Sequence, residues 1–161
     1  MFHRPHPLAV LLSGLALAGA CATTALAQAP VDDPAAAAAV ATVENFHKAL
    51  DAGDGKAALA LLAPQLQVFE SGHVERSRDE YASHHLDADM QFSKTAQSTL
   101  ASRHAEVSGD SAWVLSESDV SSQRQGKPVK QRSIETMLLR QTPQGWRIVH
   151  IHWSSRTLKT E

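Results

Sequence analysis

Two histidines, His150 and His152, stand two residues apart in the run Gly145-Trp146-Arg147-Ile148-Val149-His150-Ile151-His152-Trp153-Ser154. In a regular strand alternate side chains share a face, so Trp146, Ile148, His150 and His152 are expected together. Two imidazoles on one wall can act as an acid/base pair, contact an anion or ligate a metal ion. The bland alternative is local hydrogen bonding in a closing strand. On the regular reading the apolar part of the face ends where the histidines begin. His150 is then the more buried of the two and His152 the nearer to a pocket mouth. A one-residue bulge would reverse the faces and leave Val149, Ile151 and Trp153 on the pocket wall instead.

Other residues could join them. Glu70 and His73 flank Ser71-Gly72, a two-residue hairpin turn, and are directly opposed. A carboxylate there could orient the imidazole, although Phe69 and Val74 on the opposite face are the more apolar pair. His84 and His85 are adjacent on a helix and cannot face the same way. His85 shares a stripe with Tyr81, Ala88 and Phe92, whereas His84 joins Glu80, Asp87 and Gln91 on a polar face. Tyr81 could donate a hydrogen bond to a substrate oxygen. Farther on, Glu117 and Asp119 alternate with serines and share a face with Trp113 and Leu115. Arg132 and Arg140 lie on one strand face with Ile134, Thr136 and Leu138; Glu135 lies on the other with Met137 and Leu139. An arginine inside a pocket would favour an anionic ligand. His73, His85, His150 and His152, with Glu70 as an alternative to His73, offer ligand types suited to copper or zinc if their segments converge. There is no His-Glu-x-x-His motif, phosphate loop, dinucleotide fingerprint or nucleophile elbow.

The elements that must position these side chains are legible as pattern. Asp33 and Pro34 open a helix from Ala35 to about Leu50, whose apolar face is Val40, Val43, Phe46, His47 and Leu50. Ala52-Gly53-Asp54-Gly55 ends it, and a short helix Lys56–Leu62 stops before Pro64. Leu66–Glu70 and His73–Arg76 form a hairpin. Ser77-Arg78-Asp79-Glu80 is a capping box that starts a third helix, Arg78 to about Met90. Four strands follow as an antiparallel meander: Ser93–Val107, Ala112–Gln123, Val129–Arg140 and Trp146–Ser154. The order gives an α+β domain with helices on one face of a curved sheet.

The first 27 of the 161 residues have the pattern of an export signal. A basic start precedes the apolar run Leu8–Ala20, which is too short to span a bilayer. Ala25-Leu26-Ala27 sets cleavage before Gln28. Lipidation at Cys21 is the weaker alternative, because Leu17 stands one place too far from the cysteine. Removing residues 1–27 leaves 14 basic and 17 acidic residues, seven histidines and no cysteine. The charge balance argues against a nucleic-acid partner, and a disulfide-free exported domain must rely on its core. Residues 28–39 form a linker and helix start, 40–155 the domain, and 156–161 a tail.

This element order resembles the nuclear transport factor 2-like superfamily. Within it the chain is most similar to the SnoaL-like group and to bacterial relatives of the calcium/calmodulin-dependent kinase II association domain. The resemblance is carried by the closing segment Gly145–Ser154, by Phe46-His47-Lys48-Ala49-Leu50 with Asp51-Ala52-Gly53-Asp54, and by Glu135-Thr136-Met137-Leu138-Leu139-Arg140. It implies a cone: a curved antiparallel sheet wrapped on about three N-terminal helices, with a pocket at the open end and the outer face forming a homodimer. Val149, Ile151 and Trp153 are the apolar residues expected on that outer face. The expected function is an exported small-ligand-binding domain, periplasmic or secreted. Its histidine-lined pocket would be built from His85, His150, His152, Tyr81 and Trp146. One alternative is a periplasmic copper- or zinc-binding protein using His73, His85, His150 and His152. The other is an isomerase, dehydratase or cyclase. There His150 or His152 would be the general base, and Tyr81 or His85 would polarise a carbonyl.

Overall fold

A computed structural model of the chain describes residues 36–159. The expected signal peptide, its cleavage site and the Asp33-Pro34 cap lie outside the described residues. So do residues 28–35 of the linker and the last two residues of the tail. The elements are α1 (Ala37–Ala52), α2 (Gly55–Ala60), β1 (Leu62–Glu70), β2 (His73–Glu75), α3 (Arg78–His84), α4 (Leu86–Thr95), β3 (Gln97–Ser108), β4 (Ser111–Arg124), β5 (Lys127–Thr142) and β6 (Gly145–Thr157). None of the described helices is long and apolar enough to cross a membrane.

Local chemistry accounts for the breaks. α1 ends at Gly53, whose φ of 68° is the left-handed conformation that caps Ala49 and Leu50 carbonyls. The Asp54 carboxylate accepts from Ala57 N at 2.9 Å and starts α2. Ser77 Oγ accepts from Glu80 N at 3.0 Å, as the capping box requires, but Glu80 reaches back to Arg76 N rather than to the cap residue. The third expected helix is two. It breaks at His85, whose φ and ψ of −120° and −40° leave the helical region, so α4 starts in a new phase. Ala88 is exposed, and Phe92, 50% exposed, stands at the cavity wall rather than in the core. β1 begins at Leu62, ahead of Pro64 rather than after it.

All six strands form one sheet in the order β2-β1-β6-β5-β4-β3. Neighbours are antiparallel except β1 and β6, which run parallel because the helices and the meander intervene between them. α1 lies on the concave face and buries Ala39, Val43, Phe46, Ala49 and Leu50. The register places Ala105, Val114, Met137, Ile151 and Val68 in one cross-strand row. All five are buried. This row and its neighbour Ala112-Leu139-Ile148 form the apolar floor on which α1 packs.

One irregularity sets the faces of β6. Leu139 pairs with Ile148 and Leu138 with His150, so Val149 is an extra residue without a partner. Such a bulge shifts the side-chain phase by one. Before it, Trp146 and Ile148 face the core; after it, Ile151 and Trp153 do, and His150 and His152 face outward.

Candidate functional site

The row of the sheet next to the apolar floor carries charge. Arg103, Ser116, Glu135, Trp153 and Glu70 are successive cross-strand partners from β3 to β1. The next row outward is Leu100, Ser118, Ser133 and Ser155. The concave face thus grades from apolar through ionic to hydroxyl. α1 and α4 stand over it and enclose a cavity of about 830 Å³. Its walls include His47, Glu70, Asp89, Arg103, Glu135 and Trp153.

Two side-chain groups occupy these walls. In the first, His47 Nε2 lies 2.9 Å from Glu135 Oε2, and Trp153 Nε1 donates to the same oxygen at 2.7 Å. Burial disfavours charging His47, but the hydrogen bond and charge of Glu135, with the charge of Asp51, outweigh it and raise the histidine pKa. Burial likewise works against an ionised Glu135, yet His47 and Trp153 hold its pKa below the usual carboxylate value. Both directions describe one imidazolium–carboxylate pair. Beside it, Arg103 Nη1 donates to Glu44 Oε1 at 2.7 Å and Nε to Ser116 Oγ at 3.4 Å.

In the second group, Tyr81 OH donates to Asp89 Oδ2 at 2.8 Å, and His85 Nε2 lies 3.0 Å from Glu70 Oε2. Burial pushes the Asp89 carboxyl up to about 6, with Glu70 adding to the effect against the pull of Tyr81 and His85. Burial and Asp89 raise the Tyr81 phenol above its ordinary value. Tyr81 and His85 stack at 6.0 Å between centroids.

The expected site residues separate. Tyr81 and His85 come together, although Asp89 and Glu70 rather than the two stand against the cavity. His73 is exposed on the hairpin and Trp146 is buried in the core. His150 is more buried than His152, but on the outer face, where it packs edge-on against Phe69 at 4.9 Å. Burial lowers the His150 pKa, a backbone hydrogen bond with Gln67 opposes, and His152 adds to the lowering. Neither histidine lines the cavity, because the Val149 bulge turns both away. Among the cavity residues the one histidine is His47. Ile151 and Trp153, expected on the outer face, lie on the concave side for the same reason. Arg132 also lies outside, paired with Asp119 at 2.9 Å and Glu117 at 3.1 Å; the arginine in the cavity is Arg103. The sequence does hold signals for the missed residues. His47 sits within the apolar stripe of α1, and Glu135 alternates with Met137 and Leu139 on a core-facing strand.

A cone-shaped α+β domain with an acid–base cavity over a curved sheet defines the class. Residues 39–157 match the SnoaL-like domain family. The chain belongs to that family. No functionally curated protein matches it. Among solved structures, a protein from Shewanella frigidimarina described as a candidate ketosteroid isomerase is 36% identical, with a TM-score of 0.68, over 73% of this chain and 94% of that one. The S. rosetta CaMKII hub shares the fold at 22% identity and a TM-score of 0.62, over 75% and 95% of the two chains. A candidate dehydratase of the NTF2-like family from Streptomyces avermitilis does so at 21% identity and 0.61, over 76% and 95%.

Proposed function

We propose that this chain is an exported small-ligand-binding domain whose cavity supports proton transfer, an isomerase- or dehydratase-type chemistry. The observation that carries the reading is the His47–Glu135 pair in the cavity wall, at 2.9 Å. Glu135 orients the imidazole, and the Trp153 indole fixes Glu135. His47 is the proton donor and acceptor. Arg103, tethered by Glu44 and Ser116, supplies guanidinium hydrogens to a ligand oxygen on which charge develops. Leu50, Phe92, Leu100 and Val120 give the ligand apolar wall, and the serine row gives it hydrogen-bonding partners. The 36% identity to a candidate ketosteroid isomerase supports a ligand with a carbonyl group.

The pattern of residues 1–27 supports export. Hydrogen–deuterium exchange alpha to the carbonyl of small cyclic ketones, followed by NMR, tests the chemistry. The protein should accelerate exchange, and His47→Gln should reduce that acceleration by about 10²–10⁴-fold. Exchange equal in the two proteins, or absent across a broad ketone panel, would reject a proton-transfer role for His47.

A further inference from the structure

The second group of side chains plays no part in the His47–Glu135 pair, and it has a different chemical character. Glu70 is the last residue of β1, His85 is the break between α3 and α4, and Asp89 is in the first turn of α4. Their facing atoms are already gathered. His85 Nε2 is 3.0 Å from Glu70 Oε2 and 3.7 Å from Asp89 Oδ1, and the three potential ligand atoms all lie within 4.8 Å of one another. Two ligands held about 2.0–2.2 Å from one tetrahedral zinc ion stand about 3.4 Å apart. The two histidine distances bracket that separation.

The far side of two of these groups is held by other residues. Tyr81 OH binds Asp89 Oδ2, which leaves Oδ1 toward His85. Buried Glu75 stands behind the imidazole, with Oε1 3.7 Å from His85 Nδ1. A carboxylate behind a histidine, with the other ring nitrogen facing forward, is how ligating histidines are oriented. The charge is also unbalanced: among the described residues, the ion pairs of Glu70, Glu75 and Asp89 are all with histidine. Glu70 and Asp89 line the cavity, so remaining coordination positions face it.

We propose that Glu70, His85 and Asp89 bind one divalent first-row transition-metal ion at the cavity wall. One imidazole nitrogen and two carboxylate oxygens suit zinc, manganese or ferrous iron better than copper(I), which favours sulfur. The bound ion presents a Lewis-acidic position to the ligand that fills the cavity. Of the four histidines whose types suggested a metal, only His85 belongs to this group; His73 is the exposed cross-strand partner of Glu70 but is not among the gathered ligand atoms, and His150 and His152 lie on the outer face of the sheet.

Calorimetric titration of zinc chloride into the chelator-stripped protein tests the proposal. One equivalent per chain should bind. Asp89→Asn and His85→Gln should each weaken binding at least about 100-fold, and Tyr81→Phe about 10–100-fold, as loss of an outer partner does. Glu70→Gln, at the end of a strand, gives the same reading if either of the first two variants fails to fold by circular dichroism. His152→Ala and His104→Ala should leave zinc affinity unchanged, and His47→Gln, which removes only a neighbouring charge, should keep one bound equivalent per chain, which separates this site from the proton-transfer pair. Absence of zinc, cobalt and manganese binding, or binding that survives Asp89→Asn and falls in His84→Ala, overturns it.

Discussion

Glu135 and Trp153 are cross-strand partners on β5 and β6, and the indole of one donates to the carboxylate of the other at 2.7 Å. The same oxygen receives His47 from α1 at 2.9 Å. A sheet residue thereby joins a helix and a neighbouring strand through one atom. Both bonds lie just above an apolar floor, where an unpaired carboxylate is costly.

That arrangement predicts a pH profile with a definite sign. The His47 pKa is raised above its ordinary 6.5, so its contribution to stability is full below 6.5 and disappears as pH rises through the higher folded value. The Glu135 pKa is lowered below its ordinary 4.5, so its contribution is full above 4.5 and disappears as pH falls through the lower folded value. Their joint contribution is greatest between those two ordinary values. Glu135→Gln should therefore destabilise by about 1–3 kcal/mol near pH 5.5 and by less at pH 9 or pH 3. Urea unfolding at the three pH values measures this. A difference independent of pH would sink the ion-pair account.

Asp89 behaves oppositely. Its folded value of about 6 lies above its ordinary 3.8, so ionising it in the folded chain is unfavourable. Stability is lost as pH rises from 3.8 toward 6 and stays lost above. In the presence of a chelator, Asp89→Asn should stabilise the protein at pH 8 by up to about 3 kcal/mol, at about 1.4 kcal/mol per unit of pKa. The gain should vanish below about pH 4. Thermal unfolding of both proteins in EDTA decides it; a variant less stable at pH 8 would contradict the sign.

Much of the architecture was legible because it rests on period and punctuation. The α1 stripe, Gly53, the Ser71-Gly72 turn and the long alternating strands all survive in the structure. The site was less legible, and one residue explains most of the difference. Trp146, Ile148, His150 and His152 alternate perfectly in sequence, but Val149 is the unpaired residue of a bulge, and no local pattern announces it. The extra residue keeps two apolar groups inward on each side of itself: Trp146 and Ile148 before, Ile151 and Trp153 after. Burial of four large side chains outweighs one lost rung of the ladder, and the histidines go outward as a consequence. On the helical side, Asp89 follows His85 by four residues on the same stripe as Tyr81, whereas Phe92 is exposed rather than part of the core. Cross-strand rows such as Arg103-Ser116-Glu135-Trp153-Glu70 join residues distant in sequence, so they emerge only from the register.

Export makes a prediction outside the described residues. If the proposed export holds, the small residues Ala25 and Ala27 predict a mature N-terminus at Gln28. Expressed with its own leader in a Gram-negative host, the protein should be recovered by osmotic shock, and N-terminal sequencing should begin at Gln28. Recovery of the intact leader in the cytoplasmic fraction would exclude export by this segment.

The outer face of the sheet carries the last prediction. It exposes Phe69 on β1, Leu115 on β4, and Ile134 and Leu138 on β5, each 38–41% accessible. His152 lies between Thr136 and Phe69 in one cross-strand row, and His150 is the partner of Leu138 in the next. Apolar side chains grouped on a sheet face make a self-complementary surface for a second copy, because a twofold axis brings each patch onto its equal. The apolar residues are not the Val149, Ile151 and Trp153 expected from alternation, since the bulge turns the last two inward. The protein should therefore sediment as a homodimer at micromolar concentration. Leu138→Glu, at the centre of the patch, should shift it to monomer without lowering the unfolding midpoint of the monomer itself, because Leu138 makes no part of the buried core. Trp153→Phe, inside the cone, should leave the dimer intact. Monomer in the unmodified protein, or a dimer indifferent to Leu138→Glu, would place the interface elsewhere.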